Sequence, residues 1–159
     1  MRVVFQSRRK TGRVEQEALD TLVCSAMHRA GAAALSALLQ FPTPLAEQRN
    51  ISCSCGPPAH YRELRVKPVL TAVGTVNVSR PYYLRPHCHR GQFPVDVERD
   101  IENTESSPGV RRMRAVVGQE GPFDHGREQM QVLAGLEVAT KAVERTAEAI
   151  GDDIARGEQ

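Results

Sequence analysis

Val69-Leu70-Thr71-Ala72-Val73-Gly74-Thr75-Val76-Asn77-Val78 is the stretch on which the fold turns. β-Branched residues crowd both sides of a Gly-Thr pair, and apolar and polar positions alternate after it, the period-two pattern of a strand. Gly74-Thr75 therefore reads as the turn of a hairpin. The second strand continues through Tyr82 and Tyr83 with Pro81 before them. Proline has no amide to give to a ladder, so this strand is expected at an edge or with a bulge at that point. β texture extends over residues 51–96. A lone hairpin is marginal in water, so this one needs support.

One kind of support is written on either side of it. Cys53-Ser54-Cys55-Gly56 precedes the hairpin and places two thiolates on a tight turn, with a glycine to relax the backbone. His87-Cys88-His89 follows it, with Gly91 close behind. Structural zinc takes four Cys or His ligands in a closed tetrahedral cage, and two turns joined by a hairpin can supply them. The candidate ligands are Cys53, Cys55, Cys88 and one of His87 or His89. Packing is the competing role for a cysteine, and it suits Cys24, which sits in an apolar helical pattern. His60 is a spare ligand or a surface residue; His28 and His125 read as solvent-facing or capping residues.

Upstream, residues 14–40 contain no proline. Leu19, Leu22, Val23, Ala26, Met27, Ala30, Ala33, Ala37 and Leu38 recur at helical spacing. They predict one long amphipathic helix with a break at Gly31, stopped by Pro42 and Pro44. The alanines of 30–34 allow another element to come close, and intramolecular packing is the first expectation for them.

Downstream, Ser107-Pro108 can cap and open a helix running to about Gly118. A second helix is expected from Phe123 to just before Gly135, and a third from about Ala139 to Arg156. Leu133-Ala134-Gly135-Leu136 then forms a short turn between the last two. In a helix-turn-helix the second helix enters the major groove, so Thr140, Lys141, Glu144 and Arg145 near its start are candidate DNA contacts. A plain helical bundle has the same spacing. Residues 109–156 hold seven Lys and Arg against eight Asp and Glu, so this unit alone has no basic footprint.

The basic stretches lie elsewhere. Arg2, Arg8, Arg9, Lys10 and Arg13 fill the first thirteen residues without an acid. Arg62, Arg65, Lys67, Arg80, Arg85 and Arg90 stand against Glu63 alone within 60–90. Arg62, Arg65, Lys67 and Arg80 are accordingly candidate phosphate contacts, with a solvated surface as the plainer reading. A net charge of +2 is too mild to argue nucleic-acid binding by itself. No apolar run approaches a membrane span and no secretion signal opens the chain, so a cytoplasmic, nucleoid-associated protein is expected. Four cysteines there argue for packing or metal rather than disulfides. Asp96, Asp100, Asp152 and Asp153 read as solvated carboxylates. No phosphate-cradling loop or nucleophile elbow is present, so neither an enzyme nor a small-molecule substrate is indicated.

Taken together, the chain resembles the N-terminal region of the ISKra-type insertion-sequence transposases over essentially its whole length. The resemblance runs through Met27-His28-Arg29-Ala30-Gly31-Ala32-Ala33-Ala34-Leu35, Cys53-Ser54-Cys55-Gly56, Thr71-Ala72-Val73-Gly74 and Ser79-Arg80-Pro81-Tyr82-Tyr83. It continues in Gly91-Gln92-Phe93-Pro94-Val95-Asp96, Ser107-Pro108-Gly109-Val110-Arg111-Arg112, Leu133-Ala134-Gly135-Leu136-Glu137-Val138 and Lys141-Ala142-Val143-Glu144-Arg145. It implies a zinc-ribbon-like element and a helix-turn-helix that position the protein on transposon DNA. A ribonuclease-H-like domain with an Asp-Asp-Glu triad would begin about where this chain stops, so no triad residue carries over. By the same register Arg85 stands where the family has the first cysteine of a Cys-x-x-Cys, and Cys88 keeps the second, which implies a weakened zinc site.

The expectation is thus an α+β chain in three parts: a helical segment at 1–48, a zinc-ribbon-like β element at 49–98 and a helix-turn-helix-like unit at 99–159. Its expected role is to recognise transposon ends without cutting them. The alternatives are a protein-interaction or oligomerisation module, with itself or a full-length transposase as partner, and a stand-alone regulatory DNA binder.

Overall fold

The computed structural model describes residues 16–53, 56–86 and 89–157. It is built on the hairpin that the valine-rich stretch announces, which is longer than expected and turns elsewhere. Strand β2 spans Ala59–Thr71 and β3 spans Gly74–Leu84, paired antiparallel from His60↔Leu84 to Thr71↔Gly74. The turn is Ala72-Val73, not Gly74-Thr75. Gly74 leaves it at φ +106°, a conformation that L side chains rarely adopt, and this supplies the twist that two ordinary loop residues do not. The Thr71 hydroxyl fastens the corner, donating to the Gly74 carbonyl at 2.7 Å and accepting from the Val73 amide at 3.3 Å.

β2 begins at Ala59 because its ladder to β3 holds residues 62–66 extended, although all of them are exposed and no burial pattern marks them. The register slips between Tyr61 and Glu63, a bulge at Arg62 beside the Leu64↔Pro81 pair. Short strands β1 (Asn50–Ile51) and β4 (Gly91–Gln92) complete a sheet of order β1-β2-β3-β4. β4 reaches only Tyr83 and Leu84, so it does not extend to Pro81. Pro81 keeps its register with Leu64 and meets the edge alternative, while the bulge lies on the opposing strand.

Helix α1 spans Gln16–Leu38 and runs through Gly31 without the expected break. Gly31 serves close approach instead: a Cβ there would stand 3.1 Å from a Val73 methyl carbon. Ala32, Leu35, Leu39 and Phe41 close over the buried cluster of Val69, Val76, Val78 and Ile101. The amide of Phe41 donates to the Ser79 carbonyl at 3.0 Å, and that of Ser79 to the Leu39 carbonyl at 3.1 Å, which anchors the end of α1 to β3. The intramolecular packing expected of 30–34 is mostly missing. Ala30, Ala33 and Ala34 are exposed and no residue of α1 is buried.

The helical unit follows the sequence closely. α3 spans Pro108–Gln119, with Ser107 accepting from the Val110 amide at 3.3 Å as its cap. α4 spans Phe123–Ala134 and ends at Gly135 with φ +64°; α5 spans Thr140–Gly157. Val110, Met130 and Leu136 form their core, and Leu70 of β2 packs against it. Gly126 lets the three helices meet, since a Cβ there would lie 3.0 Å from the Val117 carbonyl and 3.2 Å from a Val143 methyl. Backbone bonds from Leu70 to Glu105 (2.8 Å) and from Ser107 to Leu70 (2.9 Å) stitch this unit to β2. Among the described residues no helix is long and apolar enough to cross a membrane.

Short helix α2 (Pro94–Glu98) brings the largest departure from the sequence reading. Asp96, expected in solvent, is 4% exposed. It accepts from Arg80 Nε at 2.5 Å and from Lys67 Nζ at 3.4 Å. Arg80 also donates to the Arg65 carbonyl at 3.1 Å and lies 4.0 Å from the centre of the Phe93 ring. Removing one partner of a buried pair strands the other charge, so Arg80→Ala should destabilise the fold by about 3–5 kcal/mol. Arg99→Ala, which removes an exposed contact to Glu98, should cost less than about 1 kcal/mol. Urea denaturation of the two variants checks the contrast, and equal midpoints would show that the buried pair holds nothing together.

Candidate nucleic-acid interface and metal loops

Two loops leave the same end of the sheet. The Ile51↔Ala59 pair closes residues 52–58, and the Leu84↔Gly91 pair closes residues 85–90. Because His60 pairs with Leu84, the loops stand side by side. Each contains one backbone hydrogen bond that closes a turn, over four residues in the first and five in the second. The Gly56 amide donates to the Cys53 carbonyl at 3.1 Å with Gly56 at φ +101°, and the His89 amide donates to the Arg85 carbonyl at 2.9 Å with His89 at φ +52°. Arg85 opens one turn and Cys53 the other, and each turn ends on a residue at positive φ, His89 and Gly56.

Of the candidate zinc ligands, Cys53 is half-buried at the start of its turn and His89 is exposed at the end of its own. Cys55, His87 and Cys88 lie outside the described residues. Among the described residues no group of three His, Cys, Asp or Glu side chains is placed to hold a metal ion. Arg85 turns its guanidinium to Gln92 of β4; in the amide orientation that satisfies both, the Gln92 oxygen accepts from Arg85 Nε at 3.1 Å. His60 meets the Asn50 side chain at 2.6 Å. Tyr83 braces the base of the loops, donating to the Gln48 carbonyl at 3.0 Å with its ring edge-on to Tyr61. Burial, and then Tyr61 beside it, push its phenol up, which keeps that donor protonated.

The basic residues of the hairpin divide into two groups. Arg80 is 7% exposed and Lys67 donates to the Ile101 carbonyl at 2.6 Å, so both serve the fold rather than the surface. Arg62, at the bulge, and Arg65 are exposed. Arg65 is held over the Tyr82 ring at 3.7 Å and paired with Glu63 at 2.7 Å. These partners, Tyr82 and Phe93 among them, went unnoticed in the sequence because they come from separate strands and from α2.

In the helical unit the connection is longer than the short turn expected. Residues 135–139 join α4 to α5, and the Thr140 hydroxyl donates to Asp124 Oδ1 at 3.0 Å. Asp124 lies in the first turn of α4, so the connection runs back along that helix and sets the start of α5 against its start. Arg127 donates to the same Asp124 oxygen at 2.9 Å. Val143 is buried, whereas Lys141 and Arg145, two residues either side of it, are exposed; Glu144 is half-exposed. Positions four apart share a helix face, so Lys141 and Arg145 form one outward pair. Asp152 and Asp153 are exposed near the far end of α5, as expected.

No family model and no curated protein matches the chain.

The Asp124 bridge carries a pH dependence. The hydrogen bond from Arg127, and then that from Thr140, hold its carboxyl below the usual carboxylate range. A group with a lowered folded-state pKa stabilises the fold above its unfolded value, about 3.9, and that contribution is lost as pH falls through the folded value. Because the pair is in solvent the effect is small. Asp124→Asn should therefore melt slightly below the parent at neutral pH. The gap should close in acid, as pH falls through the lowered folded-state value and the Asp124 carboxyl takes up its proton. Melting curves across that range check it; a constant gap would mean that Asp124 acts without its charge.

Proposed function

We propose that this chain is the DNA-binding part of an insertion-sequence transposase, positioned on transposon ends by α5 and the outer half of the hairpin. The observation that carries this reading is the division of α5 into two sides. Val143 locks one side onto α3 and α4, and Lys141 and Arg145 stand free on the other within the first two turns, where a recognition helix meets DNA. Arg62 and Arg65 on β2 add phosphate contacts, Arg65 oriented in advance by Tyr82 and Glu63. Thr140 is engaged with Asp124 and positions the helix. We assign no catalytic residue.

The two side-by-side loops support a zinc-ribbon-like role for the sheet end. Cys53, Cys55, Cys88 and His89, or His87 in its place, would hold the ion, and zinc there would tie the loops together. Of the two histidines, His89 is favoured by its left-handed turn, because neighbours in an extended chain point apart and only a sharp bend lets one join Cys88. A guanidinium cannot ligate zinc, so Arg85 leaves this site weaker than a four-cysteine cage.

Lys141→Ala combined with Arg145→Ala should weaken binding to duplexes from the inverted repeats flanking the gene by roughly 10–100-fold. It should also lower the salt slope by about 2. Mobility-shift titrations at several salt concentrations measure both. If the parent binds neither those duplexes nor scrambled ones at low salt, the DNA reading fails.

Arg85→Cys should raise zinc affinity by on the order of 10-fold or more and raise the melting temperature of the zinc-loaded protein, because metal binding in small ribbons is largely folding free energy. Cys53→Ser should lower both. Zinc content after dialysis, with calorimetry, reads the series. If neither parent nor Arg85→Cys retains zinc, the loops are not a metal site.

A further inference from the structure

We propose that the chain forms a two-fold dimer through α1, paired antiparallel with the same helix of a second copy. Helix α1 has two apolar sides. Gly31 and Leu35 lie along one, which rests on Val73 and the valine cluster. Leu19, Val23, Ala26, Ala30, Ala33 and Ala37 recur at alternating steps of four and three residues, the spacing of a coiled-coil seam. At about 100° per residue this seam lies opposite Gly31 and Leu35. All six of its residues are exposed, with Leu22 and Met27 exposed on its two flanks. The seam carries no charge.

Its partner is specified by the order of sizes along it. The large residues, Leu19 and Val23, lie towards the amino end and the small ones towards the carboxyl end. An antiparallel copy sets Leu19 against Ala37, Val23 against Ala33 and Ala26 against Ala30. Large then meets small or small meets small at every layer, and the helices stay evenly close. A parallel copy would stack leucine on leucine at one end and alanine on alanine at the other, forcing the axes to diverge. The antiparallel arrangement is its own complement about a two-fold axis, so it closes at two copies.

The rest of the fold leaves this helix needing such a partner. Of residues 16–27 only Ala18 is even half-buried, and three turns of helix standing alone are marginal in water. A helix of this length is about 35 Å long, so pairing two buries on the order of 1,000 Å² in all, the lower bound of a specific interface. This dimer does not depend on the DNA reading.

Sedimentation equilibrium of the full chain from a few to several hundred micromolar should show a monomer–dimer equilibrium. Ala33→Glu and, separately, Val23→Lys should each weaken it at least 10-fold while circular dichroism shows the fold retained, and Ser25→Glu, off the seam, should leave it intact. With Cys24→Ser as background, a mixture of Leu19→Cys and Ala37→Cys chains should cross-link between unlike chains. A parent chain that stays monomeric throughout overturns the proposal, whether the face is bare or covered by residues 1–15. Dimers unaffected by both seam variants overturn it too, and cross-links confined to like chains overturn the antiparallel arrangement.

Discussion

The salt bridge between Arg80 and Asp96 is the interaction on which the sheet half of this protein depends. A carboxylate and a guanidinium this well buried are tolerated only when each finds several partners, and here they do. Arg80 reaches Asp96 in α2, the Arg65 carbonyl in β2 and the Phe93 ring, while Lys67 links Asp96 to the Ile101 carbonyl. Six polar or aromatic groups from β2, β3, α2 and the residues on either side of α2 are thereby tied to one point. Ile101 is delivered by the same network to the valine cluster. With four Phe and no Trp in the chain, apolar burial alone is modest, and a directional buried pair adds the register that loosely shaped Val and Ala side chains cannot.

That register has a geometric consequence at the sheet's end. β2 and β3 align from His60↔Leu84 onwards, which makes neighbours of two loops separated by the whole length of the hairpin. A one-residue slip would turn every side chain of β2 to the other face and disperse them. Beyond the bulge at Arg62 the ladder is unbroken from Glu63↔Tyr82 to Thr71↔Gly74, and Arg62 and Arg65 are left exposed. The core half of the hairpin and its surface half therefore differ in what they pack against, not in how they pair.

In the helical unit, glycines at the helix contacts work beside the polar link from Thr140 to Asp124. Gly126 lets α3, α4 and α5 converge on Val143, and Gly118 faces Ala147 and Val143 from the same side. Gly135 ends α4 at positive φ, and Leu136 beyond it returns to the core beside Met130. With one side of α5 committed to that convergence, its opposite side can carry charge. The same division holds for α1, where one side meets the valine cluster and the other meets nothing among the described residues.

Helix caps and stops, and the consequence of a missing amide, were legible in the sequence. Ser107-Pro108 capped α3, Gly135 stopped α4, and Pro81 required an edge or a bulge, because caps, stops and missing amides act within a few residues. The α+β order of helix, sheet and helices could be read for the same reason. The hairpin turn was displaced, since Gly74 is used for its positive φ after the loop rather than inside it. What the sequence could not disclose were the pairings between distant residues. Arg80 and Lys67 looked like surface cations and Asp96 like a solvated acid, because a charged residue carries no mark of the partner that buries it. The start of β2 was hidden because exposed residues held by a ladder show no alternation. The alanines of α1 looked like packing against the chain's own body, and only the tertiary structure decided otherwise, by setting the opposite side of that helix on the sheet.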